Sequence, residues 1–451
     1  MKKNLRFLFF MLVMSFVFVG CDKEIDAPDP NQTYEVQVKL VYPNELAPVE
    51  GVKVSMENTQ GTVLEAITDD KGVATFESVV GIYAASASEQ RADNGEVTIL
   101  NGTSQEFEVT HEWDSAKVIS LELLATKAGQ IIIKEFYFGG CQDNTGEDDY
   151  SFDSYVTLYN NSDVEANINN LCLGTSLGNA HALDIFGITN KEGILTYANE
   201  TWTPSWNSIY QSKGAVSIPA RSQIVIAIAG GIDHTVTYNN SVDLSNANYV
   251  IYDPEVLTHP YYHPVPSASI SPDNYIGASM FGMGNAVMIG TVCPSLFIYQ
   301  LPEGTTAESY IANPENITYV GKMQVNAFKV AKVQKEWILD ATEAFNADYV
   351  DESAKRLTPD LDAGQVVVTT RQGYTMYRNV DKNATEAIAG NKDKLVYDYA
   401  LGTEGLVDTG TTDPSGIDAE KSIEAGAVIV YKDTNNSSKD FHQRKISSLK
   451  K

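Results

Sequence analysis

The chain has 451 residues and a formal net charge of −27, with 59 Asp and Glu against 32 Lys and Arg. This balance argues against nucleic acid or anionic lipid as a partner, because phosphate recognition needs a basic face; it agrees with solubility outside the cell or attraction of cations. A hydrophobic content of 43% supports packed cores, and the length suggests two to four domains.

At the N-terminus, Lys2, Lys3 and Arg6 precede an apolar run from Phe7 to Val19 that only Ser15 breaks. The run is shorter than the ~20 residues of a permanent span and has the length of a signal-peptide core. It ends in Val19-Gly20-Cys21, which resembles the lipobox of bacterial lipoproteins. The resemblance implies cleavage before Cys21 and acylation of its thiol, so that the chain meets the membrane through an N-terminal lipid. Each buried methylene of such an anchor contributes ~0.8 kcal/mol. An ordinary secretory signal with an incidental Cys21 is the alternative. The following Asp22-Lys23-Glu24-Ile25-Asp26 resembles the export signal that sends Bacteroidota lipoproteins to the outer face of the outer membrane. Residues 1–20 therefore read as signal peptide and 21–32, with Pro28 and Pro30, as a lipidated tether. No later stretch is long and apolar enough to cross a membrane.

Residues 33–125 read as one strand after another. "TYEVQVKLVY" places Tyr34, Val36, Val38 and Leu40 on one face, and "VKVSM" does the same for Val52, Val54 and Met56. Asp69-Asp70-Lys71-Gly72 is a tight-turn signal between two β-rich runs. Pro48 to Val54, Thr68 to Phe76 and Val80 to Tyr83 resemble the carboxypeptidase regulatory-like, or prealbumin-like, domain. That resemblance implies a β-sandwich acting as a spacer or binding module. Asp114 to Ala116 resembles a Bacteroidota O-glycosylation acceptor and also reads as a plain turn.

Residues 126–330 hold further short strands. Ile133 to Phe138, Leu158 to Asp163 and Ile168 to Leu173 resemble the lamin-tail-type immunoglobulin-like sandwich, continued by Ile218-Pro219-Ala220 and Ile224 to Ala229. The acidic loop from Asp143 to Asp153 offers oxygen ligands, but its spacing departs from that of a calcium loop, and a solvated loop is the plainer reading. His259, Tyr261, Tyr262 and His263 form a proline-flanked cluster whose donors suit iron, haem or copper; no other cofactor is expected. Met280, Met283 and Cys293 follow and read equally as buried filling. Trp202 and Trp206 are candidates for a surface that meets glycans or a partner protein. Of the cysteines left after Cys21, Cys141 and Cys172 are the nearest pair and the favoured disulfide, with all three as buried small hydrophobes the alternative.

Residues 331–451 read as a helix plus β region packed on the preceding domain. Trp337, Ile338, Ala341 and Phe345 share a helical face, predicting one short helix near 335–347. "GQVVVTTRQGYTMYRNV", "KLVYDYALG" and "AGAVIVYKD" read as strands. Tyr374 to Arg378, Asp413 to Glu420 and Asp433 to Phe441 resemble an uncharacterised family of Bacteroidota surface lipoproteins, over a span from about residue 126 to the C-terminus. The resemblance implies an accessory of outer-membrane nutrient uptake, in some members linked to iron, beside a TonB-dependent transporter. The expected fold class is all-β, with tandem immunoglobulin-like and prealbumin-like sandwiches. No nucleophile elbow, zinc-protease helix, phosphate loop or dinucleotide fingerprint occurs. Ligand or partner binding is the leading function, followed by adhesion or envelope structure without a small ligand, and then by a hydrolase whose site assembles only in three dimensions.

Overall fold

The computed structural model describes residues 31–43, 46–93, 96–127, 129–176, 187–191, 193–260, 264–287, 289–322, 324–397 and 413–450. Within them the protein is all-β, and the longest helices have six residues. Among the described residues no helix is long and apolar enough to cross a membrane.

The amino-terminal part is a β-sandwich. One sheet runs Val73–Ser78, Tyr34–Val41, Val118–Glu122. The other runs Val63–Ile67, Lys53–Asn58, Gly81–Asp93, Glu96–Thr103, Leu124–Lys127, with Phe107–Val109 also paired to Gly81–Asp93. The strand period of two turns Val36, Val38 and Leu40 inward against Val54, Met56, Tyr83 and Leu100. Asp69 closes the expected turn by accepting the amides of Lys71 and Val73, both at 2.9 Å. Gly72 supplies the positive φ, 77°, that this turn requires.

The remainder is built round a twelve-stranded sheet. Its order is Val366–Val368, Ile338–Asn346, Ser295–Gln300, Leu171–Gly174, Ser208–Ser212, Tyr275–Met280, Tyr249–Ile251, Gln223–Ala227, Tyr155–Asn160, Ile131–Tyr137, Thr375–Arg378, Phe441–Arg444. The sheet curls until Val366–Val368 lies against Phe441–Arg444. The enclosed core holds Ile131, Ile133, Phe136, Val156, Ile226, Ile298 and Phe441. No border falls at residue 330, because strands from both sides of it share this sheet.

The helix expected near 335–347 is a strand. Lys335–Trp337 forms one 3-10 turn, and Ile338–Asn346 is extended, antiparallel to Ser295–Gln300 and parallel to Val366–Val368. Its last seven residues are all buried, so the alternation that marks a half-exposed strand is missing. The spacing of Trp337, Ile338, Ala341 and Phe345 then imitates a helical face. Strands do form at Val366–Val368 and Thr375–Arg378, whereas 425–433 contributes only an isolated bridge between Tyr431 and Val380.

The strand Ile131–Tyr137 is buried along its whole length. Ile131 and Ile133 face the core, while Ile132 faces a separate cluster with Tyr377, Ile417, Ile429 and Tyr431. The C-terminal segment supplies that second cover. A register shift between Ile133 and Glu135 accompanies two buried charges, Lys134 and Glu135. Each is partnered, as burial demands: Lys134 Nζ meets Glu420 at 2.8 Å, and Glu135 accepts from the Ser448 amide at 3.0 Å and from its hydroxyl.

Candidate functional site

The residues singled out from sequence fall in different places. Trp202 and Trp206 end a strand paired with Lys329–Gln334. The Trp202 indole donates to Glu200 at 3.0 Å and stacks on Tyr197, with Lys332 over its ring; the Trp206 indole donates to the Ala327 carbonyl at 2.8 Å. Both rings are half-buried and brace their neighbourhood instead of presenting a free stacking face. His259 is half-buried, its amide bonded to the Asn285 carbonyl at 2.9 Å. Tyr261, Tyr262 and His263 lie outside the described residues, as does Cys21. Among the described residues no three His, Cys, Asp or Glu side chains converge as a metal site.

Cys141 and Cys172 are separate, buried free thiols, as is Cys293, so the expected disulfide is not formed. Cys172 packs among Phe297, Tyr299 and Leu301, whereas Cys141 lies 3.7 Å from a carboxylate oxygen of Asp153. Burial, reinforced by Asp153, pushes the Cys141 thiol up to about 12. In the acidic loop, Asp143 is spent on its own turn: it accepts the amides of Thr145 at 3.0 Å and Gly146 at 2.7 Å. Asp153 is buried and accepts from the hydroxyls of Ser241 at 2.6 Å and Tyr137 at 3.1 Å. The loop thus turns its Asp153 end inward and keeps Asp143 in a turn at the surface.

Where the amino-terminal sandwich meets the large sheet, the structure assembles a polar centre that sequence reading missed. Arg378 is 1% exposed. Its Nε donates to the Ile133 carbonyl at 2.7 Å, one terminal nitrogen donates to the Lys432 carbonyl at 2.9 Å, and the other to Asp340. Asp433 and Asp440 lie 3.6 and 3.8 Å away, and the guanidinium stands 4.4 Å from the Phe441 ring centre. One cation therefore faces three buried carboxylates. Burial, then the neighbouring Asp340, pushes Asp433 up to about 6 against the pull of Arg378.

The same loop fastens the amino-terminal sandwich. Asp433 accepts the Gly129 amide at 3.0 Å. Asn101 donates to the carbonyls of Thr434 and Asn435, the latter at 3.4 Å. A Cβ at Gly129 would collide with the Leu339 carbonyl oxygen, so glycine here permits the close approach of two backbones.

Clefts open beside this junction. One of about 800 Å³ is lined by Glu122, Glu200, Gln334, Glu336, Thr358 and Asp360. Another, of about 540 Å³, shares Lys335, Glu336 and Asp360 and reaches Asp340. The Lys335–Asp360 ion pair, 2.9 Å, stands between them. Thr358 is 1% exposed and its hydroxyl has no hydrogen-bond partner in the structure. Carboxylates, a carboxamide and hydroxyls suit a ligand rich in hydroxyl groups. The sequence signal was weak, since these residue types are common throughout an acidic chain.

Comparison with known proteins places this architecture. The chain is similar to a crystal structure of a DUF4876 family protein from Bacteroides thetaiotaomicron VPI-5482, with a TM-score of 0.51 and 17% identity over 92% of this chain and 96% of that one. Weaker likenesses to the shaft pilin SpaA of Lactobacillus rhamnosus GG (TM-score 0.17, 11% identity, 61% and 90% covered) and to the major pilin subunit BcpA of Bacillus cereus (TM-score 0.17, 12% identity, 69% and 95% covered) carry no argument. No curated protein matches the chain. Residues 219–395 match the family described as a protein of unknown function, DUF4876, and the fold around them is similar to that of the solved Bacteroides protein.

Proposed function

We propose that the protein is a lipid-anchored lipoprotein on the outer face of the outer membrane, a non-catalytic binding accessory of nutrient uptake that works beside a TonB-dependent transporter. The address rests on the run from Phe7 to Val19, on Cys21 and on the acidic residues that follow. The observation that carries the binding role is the cleft of about 800 Å³ at the junction of the amino-terminal sandwich and the remainder of the chain, whose lining offers hydrogen bonds to a polar ligand. In this reading the prealbumin-like sandwich is a spacer near the membrane as well as one wall of the cleft. Iron or haem is a second cargo class, motivated only by the donor types of His259, Tyr261, Tyr262 and His263.

Mass spectrometry tests the address, and ligand screens test the binding role. Mass spectrometry of the protein from its native membrane should find Cys21 as an acylated N-terminus, and an intact peptide with that thiol free would refute the address. Thermal shifts of the soluble part should be screened against oligosaccharides, with elemental analysis and an absorbance scan of protein grown with iron and haem. A stabilising oligosaccharide whose effect is lost in Glu336→Gln supports the cleft. A blank across all of these ligands would favour the adhesion or envelope role.

A further inference from the structure

A third cleft at the junction, about 580 Å³, has a different character. The strand Lys53–Asn58 turns Val54 and Met56 into its own core and therefore presents Lys53 and Ser55 outward. Glu65 and Ser88 stand on the adjoining strands. Lys432 and Lys439 join the lining from the C-terminal segment, beside Thr434 and Ser438. The lining thus holds three lysines and one carboxylate, in a chain whose acidic residues outnumber its basic ones by 59 to 32. That carboxylate, Glu65, is paired with Lys53. Among the described residues neither Lys432 nor Lys439 forms an ion pair with a carboxylate.

The three ammonium groups act on one another. Burial lowers the Lys439 pKa, and the charges of Lys53 and Lys432 push it the same way, against the pull of Asp440 and Glu65. Lys53 belongs to the amino-terminal sandwich and the other two to the large sheet's cover, so this repulsion opposes docking of the two parts. An anion between them would reverse its sign. The overall charge of −27 does not forbid this, because at physiological salt its field fades over about 8 Å, and the lining itself holds three lysines to one carboxylate.

We propose that this cleft binds a sulfate or phosphate group, held by lysines from both parts and by the hydroxyls of Ser55 and Ser88, and that the bound group clamps the amino-terminal sandwich to the large sheet. Lysine is suited to such a group as a point charge with three donors. A group that binds only the docked form stabilises it by mass action. This site is distinct from the polar cleft of the preceding section and stands or falls separately.

The test is thermal denaturation of the mature chain at constant ionic strength, with chloride replaced stepwise by inorganic sulfate or phosphate. These anions raise melting temperatures non-specifically through exclusion from the surface, so variants decide. The expected result is a saturable rise in wild type that persists in Lys117→Gln, a lysine outside the cleft, and in the charge-preserving Lys432→Arg/Lys439→Arg double variant. It should be lost in Lys432→Gln/Lys439→Gln, whose circular dichroism should match wild type, since no Nζ hydrogen bond is removed. A rise that survives in the double glutamine variant, or no saturable rise in wild type, would overturn the proposal. A sulfated disaccharide acting at a concentration about tenfold below free sulfate, while its unsulfated form does not act, would identify the source as an ester on a glycan. Equal potency of disaccharide and free ion would identify the ion itself.

Discussion

Arg356 and Glu343 form an ion pair inside the protein: the guanidinium Nε lies 2.9 Å from the carboxylate, whose side chain is fully buried. The amides of Arg356 and Leu357 donate to the same carboxylate at 3.0 and 3.2 Å, and Lys355 reaches it at 3.1 Å. This is where the segment after Ile338–Asn346 is nailed to the sheet.

Glu343→Gln keeps the shape of that anchor but leaves a buried guanidinium without its counter-charge. The expected cost is about 3–5 kcal/mol, read by urea denaturation. The pH dependence follows from direction. Burial alone would raise the Glu343 pKa, but Lys355 and Arg356 together hold it below the usual carboxylate value. Its contribution is therefore present above the unfolded carboxylate range and is lost as pH falls through the lowered native value. The gap between wild type and Glu343→Gln should close towards acid pH.

Asp433 has the opposite sign. Its native pKa is raised from 3.8 to about 6, so the folded state holds a proton that the unfolded state has released. Its contribution is fully present below the unfolded value and is lost as pH rises through about 6. Asp433→Asn removes this titration, so the difference in stability between wild type and variant should slope between roughly pH 4 and 6 and flatten on either side. Paired denaturation curves at several pH values check this; a gap constant across that window contradicts the assignment.

Docking of the amino-terminal sandwich depends on few contacts. Asn101→Ala should cost about 1 kcal/mol, the usual worth of a lost hydrogen bond, and should speed proteolytic cutting between the two parts. Gly129→Ala should cost more, about 1–3 kcal/mol or above, because the new methyl group meets the Leu339 backbone, which cannot swing aside as a side chain could.

Thiol chemistry offers a direct check on the cysteines. Cys141, Cys172 and Cys293 should resist a disulfide-exchange reagent in the native protein, since all three are buried. In denaturant without reductant all three should react. A deficit of two would restore a disulfide.

Much of the amino-terminal sandwich is readable because Tyr34–Val41 keeps one face wet, and burial alternates along it as the side chains do. Ile338–Asn346 defeats the same reasoning: partners on both edges and cover on both faces erase the alternation. Lys134 and Glu135 look like solvent residues in sequence, and only the C-terminal segment, with Glu420 and Ser448, makes their burial possible. The polar centre was hidden for a related reason. Asp340, Asp433 and Asp440 are three of 59 acidic residues, and what distinguishes them is a shared arginine far away in the chain. The Asp433 to Phe441 passage carried a family resemblance, but not the reason: it joins the amino-terminal sandwich to the large sheet.

The bond from the Ser448 amide to Glu135 spans 313 positions, and Phe441–Arg444 closes one flank of the sheet. Assembly of that sheet must wait until Phe441–Arg444 has been made. A topology so dominated by remote pairings folds slowly, so the cores of this sheet stay open to solvent longer than those of the amino-terminal sandwich, whose strands lie close together in the chain.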